Sequence, residues 1–170
     1  MTLKSVRLHD VCKTTSGGTP SREIREYYED GTIPWVKSGE LRDGPIFEVE
    51  EYITQAAIDH SSAKIFPSGT LLVALYGATA GKLGILKIDA ATNQAVCAIF
   101  VDNQIDRDYL YFFLLLQRNS LIESRTGGAQ PNISQDTIRN LLIPLPPLAE
   151  QQRIAGLLRR ADRLRRLRRY

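Results

Sequence analysis

The 170-residue sequence predicts an α+β fold: a compact domain built on a mixed or antiparallel β-sheet, followed by a long C-terminal helix. Three observations predict it. Short apolar runs of strand length come first and helical patterns gather after Asp106, whereas an α/β chain would alternate the two. A proline-rich elbow, Ile143-Pro144-Leu145-Pro146-Pro147-Leu148, then interrupts both patterns, because proline continues neither a helix nor a ladder. Beyond it, Ile154, Leu157, Ala161 and Leu164 recur at spacings of three and four, with Leu158 widening the stripe. That is the period of a helix with one apolar face.

The elements follow in order. Val6–Leu8 reads as a short opening strand and His9–Lys13 as a helical turn or an irregular link. Residues 14–21, TTSGGTPS, have the glycines and proline of a structured loop. Residues 31–36 read as a turn feeding a strand, and Phe47–Ile53 alternates like another. Thr54 can cap a short helix, Gln55–His60. Thr70–Tyr76 is a nearly continuous apolar run, the pattern of a strand buried on both faces. With Leu83–Ile88 it can form a hairpin around the loop Gly77–Lys82, and Ala95–Val101 is a further buried strand. Asp106 caps a helix over Arg107–Arg118, and a second short helix covers Ser120–Arg125. A loop over residues 126–132 leads to Ser134, which caps Gln135–Asn140; Leu141–Ile143 is extended. From Leu148 to Arg169 the arm would be about 33 Å long at ~1.5 Å per residue.

The charge is asymmetric. Residues 153–170 hold eight arginines and one acid, Asp162; removing these from totals of 22 and 19 leaves 14 basic and 18 acidic side chains for residues 1–152. The globular part is therefore mildly acidic and the arm strongly basic. Nonspecific DNA binding by phosphate neutralisation is a poor match for such a body. A local patch with base-edge contacts is a better one.

No apolar run approaches the length of about 18 residues that a membrane span needs, and the opening MTLKSVRLHD lacks a signal-peptide core. A cytoplasmic protein with no membrane contact is expected, its Cys12 and Cys97 being reduced thiols without metal-like spacing.

Catalytic patterns are scarce. Gly81-Lys82 follows a strand as in a phosphate loop, but Tyr76 stands where the first glycine belongs and Leu83 where a hydroxyl should reach magnesium. His9 and His60 sit in no triad-like or metal-like pattern, and Glu-x-Lys, a usual metal-dependent nuclease signature, is absent. We therefore assign no catalytic residue and no metal ligand.

The loops instead hold side chains suited to reading bases. Ser16, Thr19, Ser21 and Arg22 surround one Gly-Pro turn; Trp35, Lys37, Ser38 and Glu40 surround another; Tyr76, Thr79 and Lys82 occupy a third, and Gln130 and Asn132 a fourth. Asn and Gln can pair with adenine, Arg and Lys with guanine, and Ser or Thr with either.

Several segments, in order, resemble the specificity subunits of type I restriction–modification systems. They are Gly17-Gly18-Thr19-Pro20; Gly31-x-Ile33-Pro34-Trp35-Val36-Lys37-x-Gly39-Glu40-Leu41; Gly69-Thr70-Leu71-Leu72; and Gly77-Ala78-Thr79-Ala80-Gly81-Lys82. Ala91-Thr92-Asn93-Gln94-Ala95, Gln130-Pro131-Asn132-Ile133-Ser134 and Ile143-Pro144-Leu145-Pro146-Pro147-Leu148-x-Glu150-Gln151 complete the set. The resemblance implies a target-recognition domain over residues 1–143, reading half of a bipartite double-stranded DNA site through the major groove. Residues 144–170 would be the elbow and a spacer helix for assembly. It implies a noncatalytic chain whose partners are a modification (methyltransferase) subunit and a restriction subunit. S-adenosylmethionine, ATP and Mg2+ would be bound by those partners and no cofactor by this chain. Family members carry two recognition domains and two spacer helices, and this chain has one of each. The seam Ile154, Leu157, Leu158, Ala161, Leu164 is accordingly expected to form a homodimer. A coiled-coil adaptor that binds protein partners is the alternative, and a small complete enzyme a third reading.

Overall fold

A computed structural model describes residues 4–123 and 132–167. Eleven strands are named among the described residues, in sheets of five, four and two.

The five-stranded sheet has the order β2-β10-β7-β8-β4. Its members are β2 (Cys12–Ser16), β4 (Gly44–Ile46), β7 (Leu71–Ala74), β8 (Leu83–Leu86) and β10 (Val96–Val101). β7 lies at its centre, antiparallel to both β10 and β8. Leu71 and Val73 face one core, with Ile99, Leu110 and Leu114, while Leu72 and Ala74 face a second, with Val36, Leu86 and Val96. Burial on two faces explains why β7 reads as an unbroken apolar run.

The four-stranded sheet has the order β5-β3-β9-β6, with β3 (Ile33–Val36), β5 (Tyr52–Ile53), β6 (Ile65–Phe66) and β9 (Ala90–Thr92). It packs on the second core through Val36, Phe66 and Ala90, and covers a third core formed by Tyr27, Trp35, Ile53 and Ala57. β1 (Ser5–Arg7) pairs antiparallel with β11 (Leu142–Pro144), tying the start of the chain to the elbow.

Helix α1 (Gln55–His60) is capped by Thr54, whose side chain accepts from Ala57 N at 3.3 Å. α2 (Arg107–Glu123) starts with Asp106 accepting from the N–H groups of Asp108 and Tyr109. In α3 (Gln135–Arg139) Ser134 accepts from Thr137 N at 3.0 Å. α4 (Leu148–Leu167) forms the arm.

Several expectations need correction. The region between residues 107 and 123 is one helix, because Asn119 and Ser120 are not enough to break a turn already packed through Leu110, Leu114 and Leu121. The loop expected over 14–21 begins later, since Thr14–Ser16 hydrogen-bond to β10 as an edge strand. His9–Lys13 is divided between a 3-10 turn, Leu8–Asp10, and the start of β2. The strand expected over Phe47–Ile53 shrinks to Tyr52–Ile53, and Phe47 is exposed. Gly44–Ile46, which the sequence reading leaves unassigned, is an edge strand, where Pro45 has no ladder bond to lose.

The arm is partly docked. Gln151 is fully buried: its Oε1 accepts from Asp106 N at 2.8 Å, and its Nε2 donates to Gln104 O at 2.9 Å and Pro146 O at 2.8 Å. Ala155 is buried beside it, α4 packs on α2, and Arg159 pairs with Asp108. Leu157 and Leu164 stay exposed. At 3.6 residues per turn the stripe Ile154, Leu157, Ala161, Leu164 lies about a third of a turn from the docked face. The helix thus folds back on its own domain through one face, and among the described residues its second apolar face keeps Leu157, Leu158 and Leu164 exposed, with Ile154 half-buried at its start.

Candidate nucleic-acid interface

The register of the strands brings separate loops to one end of the molecule. Ser16 at the end of β2 lies opposite Cys97 at the start of β10; Val96 lies opposite Ala74 at the end of β7; Val73 lies opposite Leu83 at the start of β8. β9 ends at this same end and β3 runs parallel to it, with Val36 beside Thr92. β4 begins there, with Gly44 beside Gly84. The segments 17–22, 37–43, 75–82 and 93–95 therefore share one edge of the two stacked sheets. Asn132 joins them, since Tyr76 bridges to it and Ile133 N donates to Leu75 O at 2.6 Å.

The Gly17–Gly18 turn is shaped by close approach. A Cβ on Gly17 would strike Thr92, and one on Gly18 would strike Ser62, so the chain passes where only glycine fits. Gly18 N donates to Thr92 O at 2.9 Å, and its own carbonyl accepts from Trp35 Nε1 at 3.1 Å. Trp35 is only 2% exposed, and its placement among the base-reading residues is corrected on that ground. It is a pillar beneath the loop, with no surface for a ligand.

The remaining predicted residues divide. Thr19, Ser21, Arg22 and Tyr76 are exposed; Ser16, Lys37, Ser38, Thr79 and Lys82 are half-buried. Thr19 donates to Gln94 Oε1, which links the first loop to the 93–95 turn. Ser16 accepts from Gln135 Nε2 at 2.6 Å. Gln130 lies outside the described residues.

Two ion-pair clusters dominate the electrostatics. In the first, Arg22 forks onto the Glu51 carboxylate and stacks over the Tyr28 ring, while Lys37 Nζ lies 3.3 Å from Glu50 and 3.5 Å from Glu51. The hydrogen bonds from Arg22 hold the Glu51 carboxyl below its ordinary range, against a smaller opposing effect of burial. In the second, Asp43 accepts from Leu83 N at 3.0 Å, from Lys82 Nζ at 3.1 Å and from Arg118. Burial alone would raise the Asp43 carboxyl, but these donors outweigh it and hold it below its ordinary range. Arg118 also donates to Gly81 O at 2.9 Å, strapping the 77–82 loop to α2.

Glu51, Asp43, Arg118 and Gln135 were not singled out by the sequence. The partners named above lie from 14 to 119 positions away, so only the fold shows them. Gln135 alone carried a signal, since it directly follows the Gln130-to-Ser134 motif. Among the described residues no group of three or more His, Cys, Asp or Glu side chains could hold a metal ion, and no helix is long and apolar enough to cross a membrane. Cys12 and Cys97 are buried, free thiols, both pushed up to about 12 by desolvation, with Asp102 adding to the shift at Cys12.

Comparison with known proteins adds a family. A model described as the type I restriction modification DNA specificity domain matches residues 2–169. The EcoR124I/EcoR124II specificity subunit of Escherichia coli is 29% identical over 162 residues, covering 92% of this chain and 40% of its own length. The MjaIX specificity subunit of Methanocaldococcus jannaschii is 31% identical over 163 residues, covering 93% of this chain and 37% of its own length. The crystal structure of the HsdS subunit from Thermoanaerobacter tengcongensis shares the fold with a TM-score of 0.74 at 23% identity, over 98% of this chain and 39% of that one. The chain thus spans about two-fifths of the length of the curated relatives it matches.

Proposed function

The chain belongs to the family of type I restriction modification DNA specificity domains, and from that premise we propose that its loop end reads one half of a bipartite site in double-stranded DNA. The observation that carries this is the convergence of the segments 17–22, 37–43, 75–82 and 93–95 on one edge, with polar and cationic side chains on rigid strand ends. Readout needs such side chains held in register rather than a broad basic surface. A body with 18 acidic and 14 basic side chains over residues 1–152 is in keeping with that.

On this reading the chain is noncatalytic. A modification subunit supplies methyl transfer with S-adenosylmethionine, and a restriction subunit supplies ATP- and Mg2+-dependent work. The arm is the assembly element. Its exposed stripe, Leu157, Ala161 and Leu164, with the half-buried Ile154 at its start and Leu158 at its border, fits a second copy of the same helix, giving a two-fold dimer that reads two half-sites. Two flanking arginines are already neutralised, Arg153 by Glu150 at 2.7 Å and Arg165 by Asp162 at 2.8 Å, which lowers the repulsion between paired arms. The adaptor alternative is not favoured by the family match.

The test is to map methylated sites in the DNA of cells that express the chain with its modification subunit. A defined split motif that disappears with the chain is expected. Methylation at unchanged positions without it would overturn the reading. For the dimer, sedimentation should show a two-fold mass at micromolar concentration; monomer throughout, with or without modification subunit, would rule it out.

A further inference from the structure

Arg22 is held in place more tightly than an exposed arginine needs to be. Its side chain is 54% exposed, yet its guanidinium carbon lies 4.2 Å from the centroid of Tyr28 and 5.2 Å from that of Trp35. Both terminal nitrogens fork onto Glu51, Nη2 at 2.9 Å from Oε2. The holders are held in turn. Tyr28 donates to Pro20 O at 2.5 Å and meets Trp35 edge-on at 6.1 Å. Trp35 is locked beneath Gly18, and its backbone N–H donates to Glu51 O at 3.0 Å. An exposed ion pair adds little to stability, so this ordering makes poor sense as a stability device. It makes good sense as preparation for a ligand, because the rotamer entropy of arginine is then lost before binding.

The surrounding charge selects the ligand. Arg22 and Lys37 face Glu50 and Glu51, so the cluster is close to neutral. A phosphate brought to it would meet two carboxylates. A base edge carries no net charge and meets no such opposition. Guanine presents two acceptors, N7 and O6, which the remaining N–H donors of a fixed guanidinium can grip.

We propose that Arg22 is a specificity-determining residue that reads a guanine, with Tyr28 and Glu51 as positioning residues that fix its plane and turn it away from phosphate. This rests on the DNA-reading function proposed above. The experiment selects duplexes from a randomised library with the full chain and its modification subunit, using wild type, Arg22→Ala and Glu51→Gln. Thermal midpoints serve as a check on folding. Wild type should select a consensus with a guanine that Arg22→Ala loses, by about 5- to 150-fold, the range of one bidentate contact, while the other positions persist. Glu51→Gln should weaken the same position and strengthen binding to non-cognate poly(dA-dT), more so at low salt. Retention of every guanine by Arg22→Ala, or an even loss at all positions, would overturn the proposal and leave DNA reading intact. Absence of any consensus with wild type would sink the DNA reading itself.

Discussion

At the loop end Arg22, Lys37, Lys82 and Arg118 each meet a carboxylate, whereas on the arm Arg160 and Arg163 meet none among the described residues. Both regions are cationic in sequence, yet they use charge differently. The loop end uses carboxylates to aim its cations. The arm keeps a surplus on a helix whose Leu157 and Leu164 are exposed among the described residues. Aimed charge favours a ligand of one geometry; surplus charge favours any acidic surface laid alongside.

The largest effect is expected beneath the aimed charges. Trp35→Ala removes the pillar under Gly18 and Arg22 and should cost about 3–5 kcal/mol, read as a fall in thermal midpoint of roughly 2–4 °C per kcal/mol for a domain of this size. A smaller loss would mean that the loop end is not held from below. Next comes Asp43→Asn, which weakens charge-assisted bonds to Lys82 and Arg118 and should cost about 1.5–3 kcal/mol at neutral pH.

Its pH dependence sharpens the comparison. The Asp43 carboxyl is depressed in the folded state, so its contribution is present above the ordinary carboxylate value of 3.8 and is lost as pH falls through the lower folded value. Urea titrations from pH 7 downward should show wild type and Asp43→Asn converging in acid. A gap that stays constant would break the assignment.

On the other side, Gln151→Leu leaves Asp106 N, Gln104 O and Pro146 O without their buried partner. About 1–3 kcal/mol should be lost, with faster amide exchange in the docked turns of α4 and little change at β7. The smallest effect is expected from Arg160→Gln with Arg163→Gln, within about 0.5 kcal/mol on stability. Sedimentation with the modification subunit should nonetheless show weaker assembly.

Much of this architecture was legible from local chemistry. Thr54, Asp106 and Ser134 cap helices where their sequence placed them, and the apolar run of β7 with the loop to β8 makes the expected hairpin. What escaped has a common cause. β2 is an edge strand of threonines and a lysine, β4 is Gly-Pro-Ile, and β9 is Ala-Ala-Thr squeezed between β3 and β6. Their extended form comes from neighbours distant in sequence rather than from propensity. The candidate site divides in the same way. Thr19, Arg22, Lys37 and Lys82 were visible as residue types, but Glu51 and Asp43, which aim three of them, become apparent only when β4 and β5 fall beside them. Trp35 misled because an aromatic next to Lys37 resembles a stacking platform, when its neighbours seal it inside.

The pairing of β1 with β11 has an evolutionary consequence. Ser5 sits against Pro144 and Arg7 against Leu142, so both ends of the domain run through a single ladder that contains no residue of the converging loops. Those loops can be exchanged or lengthened without displacing either gatepost. On the function proposed above, a lineage can thereby rewrite what it reads and keep the path into its arm unchanged.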